Sequence, residues 1–338
     1  MTDDAAPIRL AVIGTGAVSQ VVHVPILAER EDVELVALAD ADAAKADTIA
    51  RRFNIAEVIE PKEALTRDDL DAVVLCTPNN THEEMALEAL GAGKHVLVER
   101  PIATSAAGAA RVIEAAKTAG AYLAVGHPHR FRPEVAALRS FVAGGELGEL
   151  YAVRGSWLTR QVPLLRATWR QSKAASGGGA MMDLGVPALD LCLWIVGFPN
   201  IRSVSCVVHK GEYEVEDAAT LMFESEDGIV FSMEVSNRLF AGEDRYYTRV
   251  MGTEGSGSFP PLEIHKQLGG RPLEVTPRQP RPRGGENPYT NAYRRLLDQF
   301  VRGVAGRHEI ELPEEQVALM RLIEAAYESA EAGRAVAL

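Results

Sequence analysis

The chain has 338 residues, 47% apolar and 24% charged, enough for two globular domains with separate cores. A net charge of −12 argues against a nucleic-acid partner, since such binding depends on a basic face. Cys76, Cys192 and Cys206 are far apart and show no metal-ligand spacing, and the N-terminus is acidic without a signal-peptide pattern. The longest apolar stretch, 180–198, is broken by Asp183 and Asp190, so a soluble, cytoplasmic protein with no membrane partner is expected.

In chain order, the first half alternates strands and helices. Residues 8–13 form an apolar run of strand length, and 17–29 follow as a helix that Pro25 kinks or shortens. A strand at 33–39 precedes a helix marked by Ala46, Ile49, Ala50 and Phe53. Strand 72–76, helix 83–90, strand 95–98, helix 106–118 and strand 122–125 complete the series. Strands apolar throughout, each followed by a helix, predict a doubly wound parallel sheet over residues 1–125.

The pattern changes over 126–338. Residues 151–157, 203–209, 218–225 and 229–235 read as strands, the last two joined by Glu226-Asp227-Gly228, which favours hairpins and an antiparallel sheet. Helices are predicted at 134–141, about 187–196, 289–304 and 313–332. The Pro-, Arg- and Gly-rich segment 271–287 reads as a surface loop. The fold class is α/β, a Rossmann domain followed by an α+β domain.

Gly14-Thr15-Gly16-Ala17-Val18-Ser19 follows the first strand and opens the first helix. Gly14 suits the tight bend and Gly16 the close approach of a pyrophosphate, which then sits on the helix N-terminus. Ser19 is small enough for the third position. Asp40, at the end of the second strand, is placed to accept hydrogen bonds from the ribose hydroxyls of a dinucleotide. Its alternative role is to cap the next helix. Ala41-Asp42-Ala43 bring no arginine for a 2′-phosphate, so NAD is expected over NADP.

Further stretches resemble the glucose–fructose oxidoreductase, inositol dehydrogenase and rhizopine-catabolism (Gfo/Idh/MocA) family. They are Cys76-Thr77-Pro78-Asn79 with His82, the run from Ala92 to Glu99-Arg100-Pro101, Gly126-His127 with Arg130-Phe131, and Trp169-Arg170. Ser176 to Gly185 with Asp190, and Glu324 to Ala330 with Gly333, complete the set. The resemblance implies an open, mostly antiparallel sheet in the second domain that commonly forms a dimer interface, hence a homodimer or homotetramer. It implies NAD held between the domains, where sugars, cyclic polyols or related carbonyl compounds react. By position, Thr77, Pro78, Asn79 and His82 would line the cofactor, with Glu99 and Arg100 at its nicotinamide ribose.

Two departures matter. The family's usual Glu-Lys-Pro is Glu99-Arg100-Pro101 here, and its usual histidine four residues after the acid is Pro187. Arginine keeps its proton, so Arg100 can polarise an oxygen or hold a carboxylate but cannot act as a base. Alcohol oxidation needs a proton acceptor. Asp183, at the family's catalytic-acid position, and His127 are the candidates, with His129 and Asp190 behind them. Asp183 could instead cap a helix or pair with Arg170. Two readings follow: an NAD-dependent oxidoreductase with a rearranged proton-transfer site, or an NAD-binding protein whose net chemistry is not redox. The second covers an isomerase, lyase or hydrolase working through a transient ketone, and a nucleotide sensor.

Overall fold

The computed structural model describes residues 6–161, 167–279, 287–308 and 310–338. Internal contacts divide the chain into two compact units, 1–128 with 286–316 and 129–285 with 317–338.

The first unit holds a six-stranded sheet of β1 (Ile8–Ile13), β2 (Val33–Ala39), β3 (Glu57–Ile59), β4 (Ala72–Leu75), β5 (His95–Glu99) and β6 (Leu123–Gly126). Its order is β3-β2-β1-β4-β5-β6, parallel throughout. The central strands read as unbroken apolar runs because helices cover both faces; Ala11, Val12, Ile13, Val73, Val74 and Leu75 are wholly buried. Strand order reverses between β1 and β4, the crevice where ligands bind in such sheets. β3 and the short helix Pro61–Thr66 carry too little periodicity to be read from sequence.

The first helix runs over 17–28, close to the expected 17–29, with one unexpected feature inside it. After a helical start at 17–18 it passes through a π turn, Ser19–His23, and continues as the α-helix Val24–Ala28 with Pro25 at its second residue. Pro25 lies inside this continuous helix just after the π turn, where it removes one backbone amide donor. Helix Pro288–Val304, which chain order alone assigns to the 126–338 domain, packs with the first unit. Tyr293 meets the His23 ring edge-on at 5.1 Å, and Phe300 lies 6.2 Å from Tyr122. A Cβ at Gly303 would strike the Tyr122 ring, so glycine permits that approach.

The second unit is built on a nine-stranded sheet. Its strands are β7 (Leu150–Arg160), β8 (Ile201–Lys210), β9 (Glu216–Ser225), β10 (Val230–Leu239), β11 (Arg245–Gly252), β12 (Gly255–Phe259), β13 (Glu263–Leu268), β14 (Arg271–Glu274) and β15 (Val336–Ala337). The order is β14-β13-β12-β11-β7-β10-β9-β8-β15. Only β7 and β10 pair in parallel; the expected β9–β10 hairpin turns through Gly228 at φ +84°. The surface loop expected at 271–287 is corrected at its start, where Arg271–Glu274 is an exposed strand paired with β13. Proline at Pro272 is tolerated at such an edge. Residues 280–286 of that segment lie outside the described residues. Helix Val186–Ile195 is apolar on nearly every side because it is buried on nearly every side. Lys173–Ile195 has the length and composition to cross a membrane, but 89% of its apolar 18-residue window is buried within the protein.

Candidate active site

Gly14 has φ +92°, and a Cβ there would lie 2.5 Å from the Cys76 carbonyl oxygen, so the turn passes directly against the end of β4. Gly16 differs: its φ is not positive, and a Cβ would meet no heavy atom within 4 Å. The backbone here is bare on an open side. Ala17 is exposed and Val18 half-buried, while Ser19 is buried with no hydrogen-bond partner for Oγ among the described residues. An open glycine at a helix start beside an orphaned hydroxyl fits a dinucleotide pyrophosphate.

Asp40 closes the turn. Its Oδ2 accepts from Thr15 N at 2.6 Å and Thr15 Oγ1 at 2.7 Å, its Oδ1 accepts from Asp42 N at 2.9 Å, and Lys45 Nζ lies 3.0 Å away. The next helix is capped by Asp42, which accepts from Lys45 N, so the capping alternative for Asp40 does not apply. Burial pushes the Asp40 carboxyl up, but these amides, the hydroxyl and the lysine outweigh it and hold it down at about 2.

After β4, Thr77 and Pro78 are half-buried at the surface of the crevice and Asn79 is buried at the start of helix Asn79–Gly91. His82 is buried behind them. Its Nδ1 contacts the Pro101 carbonyl at 2.8 Å and its Nε2 the Thr77 carbonyl at 2.9 Å. Burial lowers its pKa, against the two carbonyls. His82 therefore braces the Thr77 loop against the Arg100-Pro101 turn, from behind the surface a cofactor would meet.

Glu99 is also buried, with His23 Nε2 at 2.7 Å and its carboxylate lying where a Cβ on Gly126 would fall. Burial raises its pKa, yet the His23 contact, the charge of Arg100 and the Tyr293 hydroxyl together leave it below the ordinary value. Arg100, half-buried, follows directly and joins Pro101 through a cis peptide bond. His23 and Tyr293 carry no sequence signal for this role; His23 is 76 residues from its partner.

In the second unit, Asp183 sits in the π turn Met181–Gly185, its side chain 41% exposed and paired with Arg170 Nε at 3.5 Å. It lines a cavity of about 440 Å³. The N-cap residues of this turn and of the helix after it are Ala180 and Gly185. The segment leading to it is fixed by buried Glu216, whose Oε1 accepts from Gly179 N and Met181 N, each at 2.9 Å, and from the Tyr327 hydroxyl at 2.8 Å. A side chain on Gly178 or Gly179 would collide with Tyr327 or the Glu216 backbone, which accounts for the glycine run. Pro187 is buried in the first turn of Val186–Ile195. Asp190 is buried and held by Arg130 through both carboxylate oxygens. His129 is buried with its ring edge-on to Trp157 at 4.9 Å.

His127, expected among the proton carriers, is buried in the first unit with Nε2 2.9 Å from Gln316 Oε1. The Gln316 contact engages Nε2, one of the two ring nitrogens. The structure thus gathers Gly14, Gly16, Asp40, Thr77, Pro78, Asn79, His82, Glu99 and Arg100 into one unit, with Asp183 in the other.

A parallel sheet with this reversal point, this glycine turn and this carboxylate defines a dinucleotide-binding domain of the Rossmann class. Residues 8–127 match the oxidoreductase family described as having an NAD-binding Rossmann fold, and 135–258 match the GFO/IDH/MocA C-terminal domain. The chain belongs to the GFO/IDH/MocA family. D-glucoside 3-dehydrogenase of Escherichia coli (strain K12) is 30% identical, over 99% of this chain and 98% of its own. Inositol 2-dehydrogenase of Acidothermus cellulolyticus is 28% identical, over 88% and 85%. GenD2 from gentamicin A biosynthesis, solved in complex with NAD, has a TM-score of 0.85 and 30% identity, over 99% of this chain and 97% of that one.

Proposed function

We propose that the chain is an NAD-dependent dehydrogenase of a sugar or cyclic polyol, with a proton-transfer site rebuilt around Arg100 and Asp183. The observation that carries this reading is the Gly14–Gly16 turn locked to Asp40 through Thr15. Gly14, Gly16, Ala17 and Val18 would hold the pyrophosphate, Asp40 the adenosine ribose, and Thr77, Pro78 and Asn79 the nicotinamide side, with His82 and Glu99 supporting them from beneath. NAD, when bound, supplies the hydride acceptor. Arg100, permanently charged, polarises the substrate oxygen and favours its alkoxide character. Asp183, half-exposed and beside a guanidinium, takes the hydroxyl proton.

The second-unit sheet exposes Val207, Met222 and Tyr247, which supports pairing with a second copy of the chain. The three cysteines are free and buried, in keeping with a reducing cytoplasm. Purified protein with NAD and a panel of sugars and polyols is expected to accumulate reduced cofactor with at least one of them. Asp183→Asn should lower kcat by roughly 10²-fold or more without weakening NAD binding. Tight NAD binding with no reduced cofactor from any compound would favour the alternative, in which a transient ketone is made and consumed within one turnover.

A further inference from the structure

We propose that the cavity beside Asp183 is a subsite for a second, uncharged, hydroxyl-rich group, so that the substrate is a glycoside or oligosaccharide rather than a free monosaccharide. This rests on the reading of Asp183 as part of the substrate site. Topology brings the walls together. β7 and β10 run in parallel, with Leu239 opposite Arg160 and Gln161 N bonded to Leu239 O at 3.0 Å, so the two strands end side by side. Gln161 from one end and Asn237 and Arg238 from the other therefore share one cavity with Asp183, Glu212 and Asp217.

Ligand pockets are ordinarily lined mostly by apolar side chains with a few polar ones. Every described residue lining this cavity carries a hydrogen-bonding side chain. Covering such a wall with an apolar group would strand donors and acceptors at a cost for each, whereas a polyhydroxylated ring replaces the bonds they make to water. A volume of about 440 Å³ leaves room for more than one sugar ring.

Charge narrows the class. Arg238 is neutralised by Asp217, with Nη1 2.9 Å from Oδ2, and the Asp217 side chain is only 9% exposed. A Cβ on Gly211 would collide with both groups, so the chain passes close against a fixed pair. Arg160 is paired with Asp244 at 3.6 Å. Glu212 adds negative charge, while Asp183 is paired with Arg170. Both arginines among the described lining residues are thus already matched, and a phosphorylated or carboxylated substituent would meet carboxylates with no spare cation among those residues. Hydroxyls suit both partners, donating to the carboxylates and accepting from the guanidinium and amide groups.

The test compares glucose, methyl glucoside and glucose 6-phosphate with maltose, cellobiose, trehalose, sucrose and lactose, by NAD-linked turnover and by calorimetric titration of the NADH-loaded protein. At least one disaccharide should have a kcat/KM ten-fold or more above glucose. Asn237→Ala should cut that preference at least ten-fold, as should Arg238→Ala if it folds. Glucose turned over as well as every disaccharide, or glucose 6-phosphate preferred to all of them, overturns the subsite and leaves the dehydrogenase reading intact. Should no sugar yield NADH, calorimetry decides. Disaccharide binding that Asn237→Ala weakens ten-fold retains the subsite and removes the redox reading, and failure of every disaccharide to bind overturns the subsite.

Discussion

At Gly14 a side chain would run into the Cys76 carbonyl from a left-handed backbone, whereas at Gly16 it would touch nothing in the protein. One glycine is demanded by the fold and the other only by whatever approaches it. Gly14→Ala should therefore lower stability by about 2 kcal/mol or more, read from its urea midpoint. Gly16→Ala should unfold within about 0.5 kcal/mol of the parent, yet bind NAD at least ten-fold more weakly. Parental NAD affinity in Gly16→Ala would remove the pyrophosphate from this turn. Asp40 was legible because it stands next to its strand, but Lys45 was not, since only the fold brings its amine to the carboxylate. That amine offsets the repulsion Asp40 exerts on a 2′-phosphate. Lys45→Ala should raise the ratio of NADP to NAD dissociation constants by roughly five-fold, about the 1 kcal/mol of a partly exposed pair. An unchanged ratio would show that Lys45 takes no part in cofactor choice.

Elements with strong apolar runs or clear caps were readable from sequence: β1, β2, β4 and β5 fall within a residue of their expected bounds. β12, Gly-Ser-Gly-Ser-Phe, was not, because its pairing with β11 and β13 is carried by backbone bonds and leaves no alternation to detect. The π turn of the first helix belongs to the same class of hidden feature. It widens the helix at His23, and that ring reaches Glu99 on β5. Removing it strands a carboxylate away from water. His23→Ala is expected to cost about 2–3 kcal/mol at neutral pH, measured by urea unfolding, with His23→Gln recovering part. Because the pKa of Glu99 in the folded protein is depressed, its contribution is complete above the usual carboxylate range and fades as pH falls through the folded value. The gap between parent and variant should close in acid. A gap independent of pH would mean that His23 acts through packing against Tyr293 alone.

For the molecule as a whole, alternating strands and helices followed by spaced strands already distinguish a parallel sheet from an antiparallel one. What that pattern cannot convey is that the chain returns. The amphipathic period of Pro288–Val304 marks a face to be buried without naming its partner, and the partner turns out to be the first unit. Tyr293, Leu296, Leu297, Phe300 and Val301 are each at most 2% exposed. At about 1.5–3 kcal/mol for each buried apolar side chain, the helix contributes an amount on the order of a domain's whole margin of about 5–15 kcal/mol. Residues 1–128 expressed alone should accordingly show no cooperative urea transition. The same residues joined by a short flexible linker to 286–316 should regain one, together with NAD binding, since Glu99 recovers Tyr293 and Tyr122 its cover. A stable, cooperative 1–128 fragment would show that the returning helix lies on the nucleotide-binding unit without being part of its core.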